Sequence, residues 1–113
     1  MKPSSAKAKG RKLQQWVVEK LVNILKFDPE DLESRPMGSS GEDVIMGVQS
    51  RRQFPYSIEG KNQQALNEHE AYEQSCSNCK GHEPLVIIKR NNTKPLAVVD
   101  AEYFIGLHKN EEN

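Results

Sequence analysis

Residues 54–63 have the sequence FPYSIEGKNQ, and this stretch decides the fold. Its side chains form two alternating sets, which are Tyr56, Ile58 and Gly60 on one side and Ser57, Glu59 and Lys61 on the other. An alternation of period two is typical of a β-strand, because every second side chain of a strand points to the same face. The stretch therefore predicts a strand that carries Glu59 and Lys61 side by side.

The residues before this strand predict a helix, a loop and a second strand. Apolar residues at helical spacing indicate a helix over about residues 12–26, and Pro29 cannot continue it. Residues 28–42 are acidic and then rich in Gly and Ser, which is typical of a long loop. We expect a short buried strand at residues 44–46, joined to the 56–61 strand by a connection over residues 49–55.

The residues after the strand predict two further helices and two further strands. A helix over about residues 65–80 should stop at Gly81, because glycine is a favoured helix C-terminal residue. Residues 85–89 and 96–99 indicate strands, and Asp100 is a candidate cap for a short last helix. This order predicts an α/β domain whose central mixed β-sheet is flanked by helices.

Length and composition indicate one domain. A chain of 113 residues, 35% hydrophobic and 28% charged, is long enough for one core but not for two. We expect a flexible basic arm over residues 1–10, the domain over 11–108 and a loose tail over 109–113. With two cysteines, no apolar run long enough for a bilayer and no visible secretory signal, we expect a cytoplasmic protein with no membrane partner.

The net charge of zero conceals an uneven distribution. Five positive residues precede the first acidic one, Glu19, and these are Lys2, Lys7, Lys9, Arg11 and Lys12. A basic segment of this kind can neutralise the phosphates of a nucleic acid, whatever the overall sum. It can equally be a solvated tail, and charge alone does not separate the two.

Asp43 and Glu59 are the residues on which a chemical hypothesis rests. Two carboxylates that converge from neighbouring strands provide the hard oxygen ligands that suit Mg²⁺ or Mn²⁺. Lys61, on the same face as Glu59, can orient a water molecule or neutralise the charge of a transition state. The alternative is structural: Glu-x-Lys is common as an exposed charge pair on a strand, and an Asp before a strand is often a turn residue.

The two motifs, in order, resemble a known family. Gly41-Glu42-Asp43 followed by Ile58-Glu59-Gly60-Lys61-Asn62-Gln63 is similar to the PD-(D/E)xK nuclease superfamily, in the branch of Holliday junction resolvase-like proteins from archaea and phages. Lys9-Gly10-Arg11 before an amphipathic helix, and the basic turn over 89–95, also resemble that branch. The resemblance covers about residues 7–108.

The resemblance implies a restriction endonuclease-like core and a metal-dependent DNA endonuclease that acts on branched or recombination DNA. Asp43, Glu59 and the carbonyl of Gly60 would bind Mg²⁺ or Mn²⁺, Lys61 would be the catalytic lysine, and Gln63 would support the placement of metal or water. A homodimer is the expected assembly, since paired incision of a junction needs two sites. A phage origin would place the protein in the host cytoplasm. The candidate DNA contacts are Lys7, Lys9, Arg11, Lys12, Ser39, Ser40, Arg51, Arg52, Lys89 and Arg90.

One position departs from the family pattern. Many members have a glutamate on the first helix as an additional metal ligand, whereas this chain has Gln14, whose neutral amide is a poorer ligand for a hard cation. Two alternatives therefore stay open beside the resolvase-like function. One is a nicking or flap nuclease of phage replication or packaging, and the other is a DNA-binding accessory protein with weak or no catalysis.

Cys76, Cys79 and Trp16 are not part of this hypothesis. One Cys-x-x-Cys pair falls short of the four ligands of a structural zinc site, and we expect both cysteines to be small buried residues. Trp16 lies on the apolar side of the first helix, so we expect a core residue and regard base stacking as the less favoured role.

Overall fold

The first helix begins much earlier than its apolar stripe. The computed structural model describes residues 3–35 and 41–109, and α1 spans Pro3–Leu25. Residues 3–10, which we expected in a flexible arm, are the first part of this helix. Proline is tolerated at the first helical position, and the following Ala and Lys residues are good helix formers. The apolar periodicity marked only the part of α1 that packs on the core.

A small two-stranded sheet follows where a loop was expected. After a 3₁₀-helix at Pro29–Asp31, β1 (Leu32–Ser34) pairs antiparallel with β2 (Val44–Met46). The expected strand at 44–46 is confirmed, and the expected loop over 28–42 is wrong at β1. Three residues with a single apolar side chain are too short to show a strand period.

A second short helix replaces the expected connection between β2 and the next strand. α2 spans Val48–Gln53, and its N-cap is Gly47. The Asp31 carboxylate accepts the Ser50 N–H at 2.9 Å, and the Ser50 bonds hold the pKa of Asp31 below its usual range. A Cβ on Gly47 would lie 1.7 Å from Asp31 Oδ1, so only glycine fits there.

The main sheet has three strands in the order β3-β4-β5. β3 (Tyr56–Asn62) runs parallel to β4 (Glu83–Lys89), and β4 runs antiparallel to β5 (Leu96–Val98). The expected mixed sheet is confirmed, but β1 and β2 form a separate sheet instead of joining it.

Two helices complete the chain after β3. α3 spans Glu68–Asn78 and connects β3 to β4, and its N-cap Asn67 accepts the Glu70 N–H at 3.1 Å. α4 spans Ala101–Gly106 and is capped, as predicted, by Asp100, which accepts the Tyr103 N–H at 2.8 Å.

The core lies between α1 and the main sheet. Val17 and Leu21 of α1 pack in one buried cluster with Ile58 of β3 and Leu85 of β4. Because Ile58 faces α1, its neighbours Ser57 and Glu59 face the other side of the sheet, towards α3. β3 therefore separates an apolar layer from a more polar one.

Candidate active site

Asp43 is bound to the free edge of β3. Its backbone N–H donates to the carbonyl of Ile58 at 2.8 Å, and its carboxylate Oδ2 accepts the N–H of Gly60 at 2.8 Å. β3 is an edge strand of the main sheet, so these two groups face away from β4. The arrangement fixes the Asp43 carboxylate beside the middle of β3.

Glu59 lies on the α3 side of the same strand. It is 6% exposed, and its Oε1 accepts a hydrogen bond from Nδ2 of Asn78, the last residue of α3, at 2.8 Å. A carboxylate at such a depth needs hydrogen-bond partners of this kind, because an unpaired buried polar group costs free energy. Asn78 therefore positions Glu59, and nothing in the sequence indicated that role.

The surroundings of Asp43 favour a positively charged partner. Burial raises the pKa of Asp43 most strongly, whereas the hydrogen bond from Gly60 lowers it. The negative charge of Glu59 raises this pKa further, and Lys61 and the Gln14 amide lower it. The structure thus brings together five residues that the sequence analysis singled out, and the net result is a carboxylate whose pKa lies above its usual value.

Gln14 reaches the site from α1. It is 5% exposed, and its Oε1 accepts the Ser34 hydroxyl hydrogen at 2.6 Å. The Gln14 side chain also contributes to lowering the pKa of Asp43, against the larger effect of burial. The residue of α1 beside Asp43 is therefore a neutral amide and not a third carboxylate.

Gly60 is close to both α1 and Asp43. A Cβ at this position would lie 3.3 Å from Leu13 Cδ2 and 3.9 Å from Asp43 Oδ2. The N–H and C=O of one strand residue point to the same side, so the Gly60 carbonyl faces the same free edge as its N–H. Its oxygen is thus on the side where Asp43 lies.

The donor set suits a hard divalent cation, although it is small. Each carboxylate has one oxygen engaged, Oδ2 of Asp43 and Oε1 of Glu59, which leaves the other oxygen of each for a ligand. The Gly60 carbonyl is a third oxygen of the kind that Mg²⁺ or Mn²⁺ prefers. Within residues 3–35 and 41–109, no three His, Cys, Asp or Glu side chains form a group that can hold a metal ion. A cation here would therefore depend on the backbone carbonyl and on water.

Gln63 lies beyond the strand that was expected to carry it. β3 ends at Asn62, and the Gln63 N–H donates to the Lys89 carbonyl at 3.1 Å. The Gln63 side chain is exposed, and among the described residues no hydrogen bond joins it to Asp43 or Glu59. This geometry therefore does not support a role of Gln63 in the placement of metal or water.

Two of the candidate DNA contacts form ion pairs within the protein. The Arg51 guanidinium binds the Glu42 carboxylate and donates to the Tyr56 carbonyl at 2.8 Å. Arg90 pairs with Glu68 at 2.8 Å and donates to the carbonyls of Gln64 and Leu66. Both arginines connect chain segments, which explains their presence without a phosphate.

The other basic candidates divide into two groups. Lys7, Arg11 and Arg52 are exposed on the surface. Lys9, Lys12 and Lys89 line one groove, whose walls are α1, the end of β3 and the turn after β4. Ser39 and Ser40 lie outside the described residues. The groove could not be predicted from the sequence, because its lysines come from positions about 80 residues apart.

The two cysteines are more accessible than expected. Cys76 is exposed and Cys79 is partly exposed, and both are free thiols, so the expectation of buried residues is wrong. The polar sequence of α3 buries only Ala71 and Ser75, which leaves the cysteines on its outer side.

No protein-family model, curated protein or solved structure matches this chain. Across the described residues, none of the helices combines the length and the apolar character that crossing a membrane requires.

Proposed function

We propose that this protein is a metal-dependent DNA endonuclease with a restriction endonuclease-like core, as its resemblance to the PD-(D/E)xK superfamily implies. The observation that carries the proposal is the attachment of the Asp43 carboxylate to the Gly60 N–H, beside the buried Glu59 and the cation of Lys61. The alternative, in which Glu59 and Lys61 are only an exposed charge pair, does not account for these buried and hydrogen-bonded carboxylates. Exposed pairs contribute little to stability and do not require buried partners.

Each residue has a definite part in the proposed reaction. Asp43, Glu59 and the Gly60 carbonyl would hold the Mg²⁺ or Mn²⁺, and Asn78 and the Gly60 N–H fix the two carboxylates. The bound cation lowers the pKa of water and stabilises charge on a phosphoryl oxygen. Lys61 supplies a fixed positive charge that orients the attacking water and balances the charge of the phosphate.

The decisive experiment is cleavage of labelled four-way junction, flap and linear duplex DNA with Mg²⁺ or Mn²⁺. Wild-type protein should cut, and Glu59→Gln or Lys61→Met should lower the rate by at least about a hundredfold. Glu59→Gln keeps an oxygen that can accept from Asn78, so it removes charge and leaves the packing intact. Lys109→Ala, at an exposed lysine outside the site, is the matched control. Equal rates in all four proteins would refute the proposal.

Metal binding has a second readout that does not require activity. A ligand that binds the folded state raises its stability by about 2.7 kcal/mol at a hundred times its Kd. Mn²⁺ should therefore raise the Tm of the wild type and of Lys109→Ala, and it should leave the Tm of Glu59→Gln almost unchanged.

The preference among the three DNA substrates decides the finer function. The resemblance favours branched DNA and a homodimer, in which two active sites cut a junction in pairs. Preference for the flap, with activity retained by a monomer, would instead support the nicking or flap nuclease.

A DNA-binding accessory protein is the second candidate, and the buried Gln14 is the observation that favours it. The wild type would then bind DNA without cutting it. Gln14→Glu restores the carboxylate of the family pattern and should create or increase Mn²⁺-dependent cleavage. Gln14→Leu, which removes the polar group, is its control.

A further inference from the structure

A groove of about 480 Å³ lies beside the candidate active site, and its charge is one-sided. Three lysines line it, Lys9 and Lys12 of α1 and Lys89 of β4, and no carboxylate does. The two ion pairs between described residues are Arg51–Glu42 and Arg90–Glu68, so neither involves these lysines. Like charges collected without an acidic partner attract an anion.

The remaining lining residues suit a planar group with polar edges. Trp16 is partly buried and packs against the core, Lys20 Nζ lies 5.5 Å from its ring centroid, and the residue also forms part of the groove wall. The side-chain amides of Asn62 and Asn91 lie in the same wall, where each offers donors and an acceptor. Asn91 Oδ1 already accepts from Lys9 Nζ at 2.6 Å, which holds one lysine at the groove.

The combination of lysines, an indole ring and carboxamides matches the chemistry of a nucleotide. Aromatic side chains stack on bases, and lysines neutralise the phosphates of a single strand. A volume of about 480 Å³ is in the range of pockets that enclose a small molecule, and it is too small for a duplex. We infer that this groove binds one nucleotide unit of a DNA strand, with its phosphate at the lysines and its base against Trp16.

The groove borders the candidate active site at Leu13. Leu13 lines the groove and also contacts the position of Gly60, and Asn62 directly follows Lys61 on β3. The inference rests on the proposed function for the choice of DNA as the source of the nucleotide.

The test uses the fluorescence of Trp16, which is the one tryptophan of the chain. The protein is titrated in metal-free buffer, which prevents cleavage, with a short 5′-phosphorylated oligothymidylate and separately with thymidine monophosphate. We expect saturable quenching by the oligonucleotide, with a lower Kd than for the mononucleotide. If both ligands quench with equal Kd, the groove binds a free nucleotide and not a nucleotide unit of a DNA strand. If neither ligand quenches, the groove is not a nucleotide-binding site.

Charge variants show whether the lysines of the groove carry the binding. Lys12→Ala should weaken binding of the oligonucleotide and flatten the slope of log K against log salt by about 0.7, the contribution of one single-strand phosphate contact. Lys109→Ala removes the same charge outside the groove and should change neither. Equal effects of the two variants would overturn the inference.

Ring variants test the stacking contact by the anisotropy of a labelled oligonucleotide. Trp16→Leu should raise the Kd about tenfold, and Trp16→Phe, which keeps an aromatic face, should raise it less. A melting curve of each variant verifies that it is folded. Equal Kd values for folded Leu and Phe variants would refute stacking at this ring.

Failure of this inference is distinguishable from failure of the proposed function. If the wild type cleaves DNA but its Trp16 fluorescence does not change, the proposed endonuclease function stands and nucleotide binding in the groove is refuted. In the opposite case, the wild type shows quenching that Lys12→Ala loses, but no cleavage of DNA. That result would support nucleotide binding in the groove and favour the accessory protein as the function.

Discussion

The two faces of β3 differ in what packs against them. Towards α1, Ile58 is 1% exposed and contacts Val17 and Leu21 in the apolar core. Towards α3, the buried residues are Ser57 and Glu59, and α3 itself buries only Ala71 and Ser75. The free energy of folding therefore comes mainly from the α1 face, whereas the α3 face contributes little apolar area and carries a buried charge.

This difference explains where the candidate chemistry lies. A rigid apolar layer holds the backbone of β3 in place, and the backbone in turn holds Asp43 through the Gly60 N–H. Charged groups that are not fully balanced cost stability, and functional sites commonly have such groups. Four substitutions, at Ile58, Gly60, Asp43 and Ser75, test this contrast between the two faces.

Ile58→Ala should cause the largest loss of stability. Removal of a fully buried aliphatic side chain costs about 2–5 kcal/mol, because it forfeits transfer free energy and leaves a cavity. Urea denaturation of the variant measures the loss. Ile105→Ala is the control, since Ile105 is 69% exposed and its truncation should change stability by less than about 0.5 kcal/mol. Similar costs at the two positions would mean that the α1 face is not the main source of stability.

Gly60→Ala should cost about 1–3 kcal/mol, the range for overpacking. The added methyl group would lie 3.3 Å from Cδ2 of Leu13, which is itself buried and has little room to move. Gly106→Ala is the control, because nothing lies within 4 Å of its added Cβ. If Gly60→Ala is as stable as wild type, α1 packs less tightly on β3 than described.

Asp43→Asn should raise the Tm by a few degrees at neutral pH in metal-free buffer. The pKa of Asp43 is raised in the folded state, chiefly by burial, so its contribution is favourable below the unfolded-state pKa and is lost as pH rises through the folded-state pKa. Asparagine removes the unfavourable charge and keeps an oxygen for the Gly60 N–H. The gain should shrink as pH falls through the folded-state pKa and vanish below the unfolded-state pKa, and Mn²⁺ should reverse the order of the two proteins. A lower Tm for Asp43→Asn at neutral pH would contradict this account.

Ser75→Ala should have almost no effect, within about 1 kcal/mol and on the stabilising side. The Ser75 hydroxyl is buried on the α3 face and has no hydrogen-bond partner among the described residues. Removing an unpaired buried polar group relieves its desolvation cost. Ser50→Ala is the contrast, because that buried hydroxyl bonds to Asp31 and its loss should destabilise. A clear destabilisation by Ser75→Ala would reveal a partner for this hydroxyl.

Strong periodicity made part of the fold predictable. β3 shows a full alternation over 56–61, and the strands at 44–46 and 85–89 are apolar runs, so these elements were expected where they occur. β1 and α2 have three and six residues, and each depends on contacts with distant segments. β1 pairs with β2, and the N-terminus of α2 is held by the Asp31 carboxylate. The local sequence pattern of a short segment does not indicate contacts with distant segments.

The candidate site was predictable in its residues but not in its construction. Asp43, Glu59 and Lys61 were chosen from residue type and spacing. The hydrogen bonds from Gly60 to Asp43 and from Asn78 to Glu59 join residues 17 and 19 positions apart, and no motif indicated Asn78. The engagement of Arg51 and Arg90 inside the protein was equally invisible, because an arginine that pairs internally has the same sequence signature as one that contacts phosphate.

The sequence by itself determined the α/β order, the strand that carries Glu59 and Lys61, and the chemical types of the candidate ligands, because these follow from local periodicity and residue chemistry. The tertiary structure alone decided that Asp43 is fixed to the edge of β3, that Gln14 is buried beside it, and that Lys9, Lys12 and Lys89 face one groove. The physical reason is that burial and long-range contact arise only when segments distant in sequence pack together. These two properties set the pKa of Asp43 and the one-sided charge of the groove.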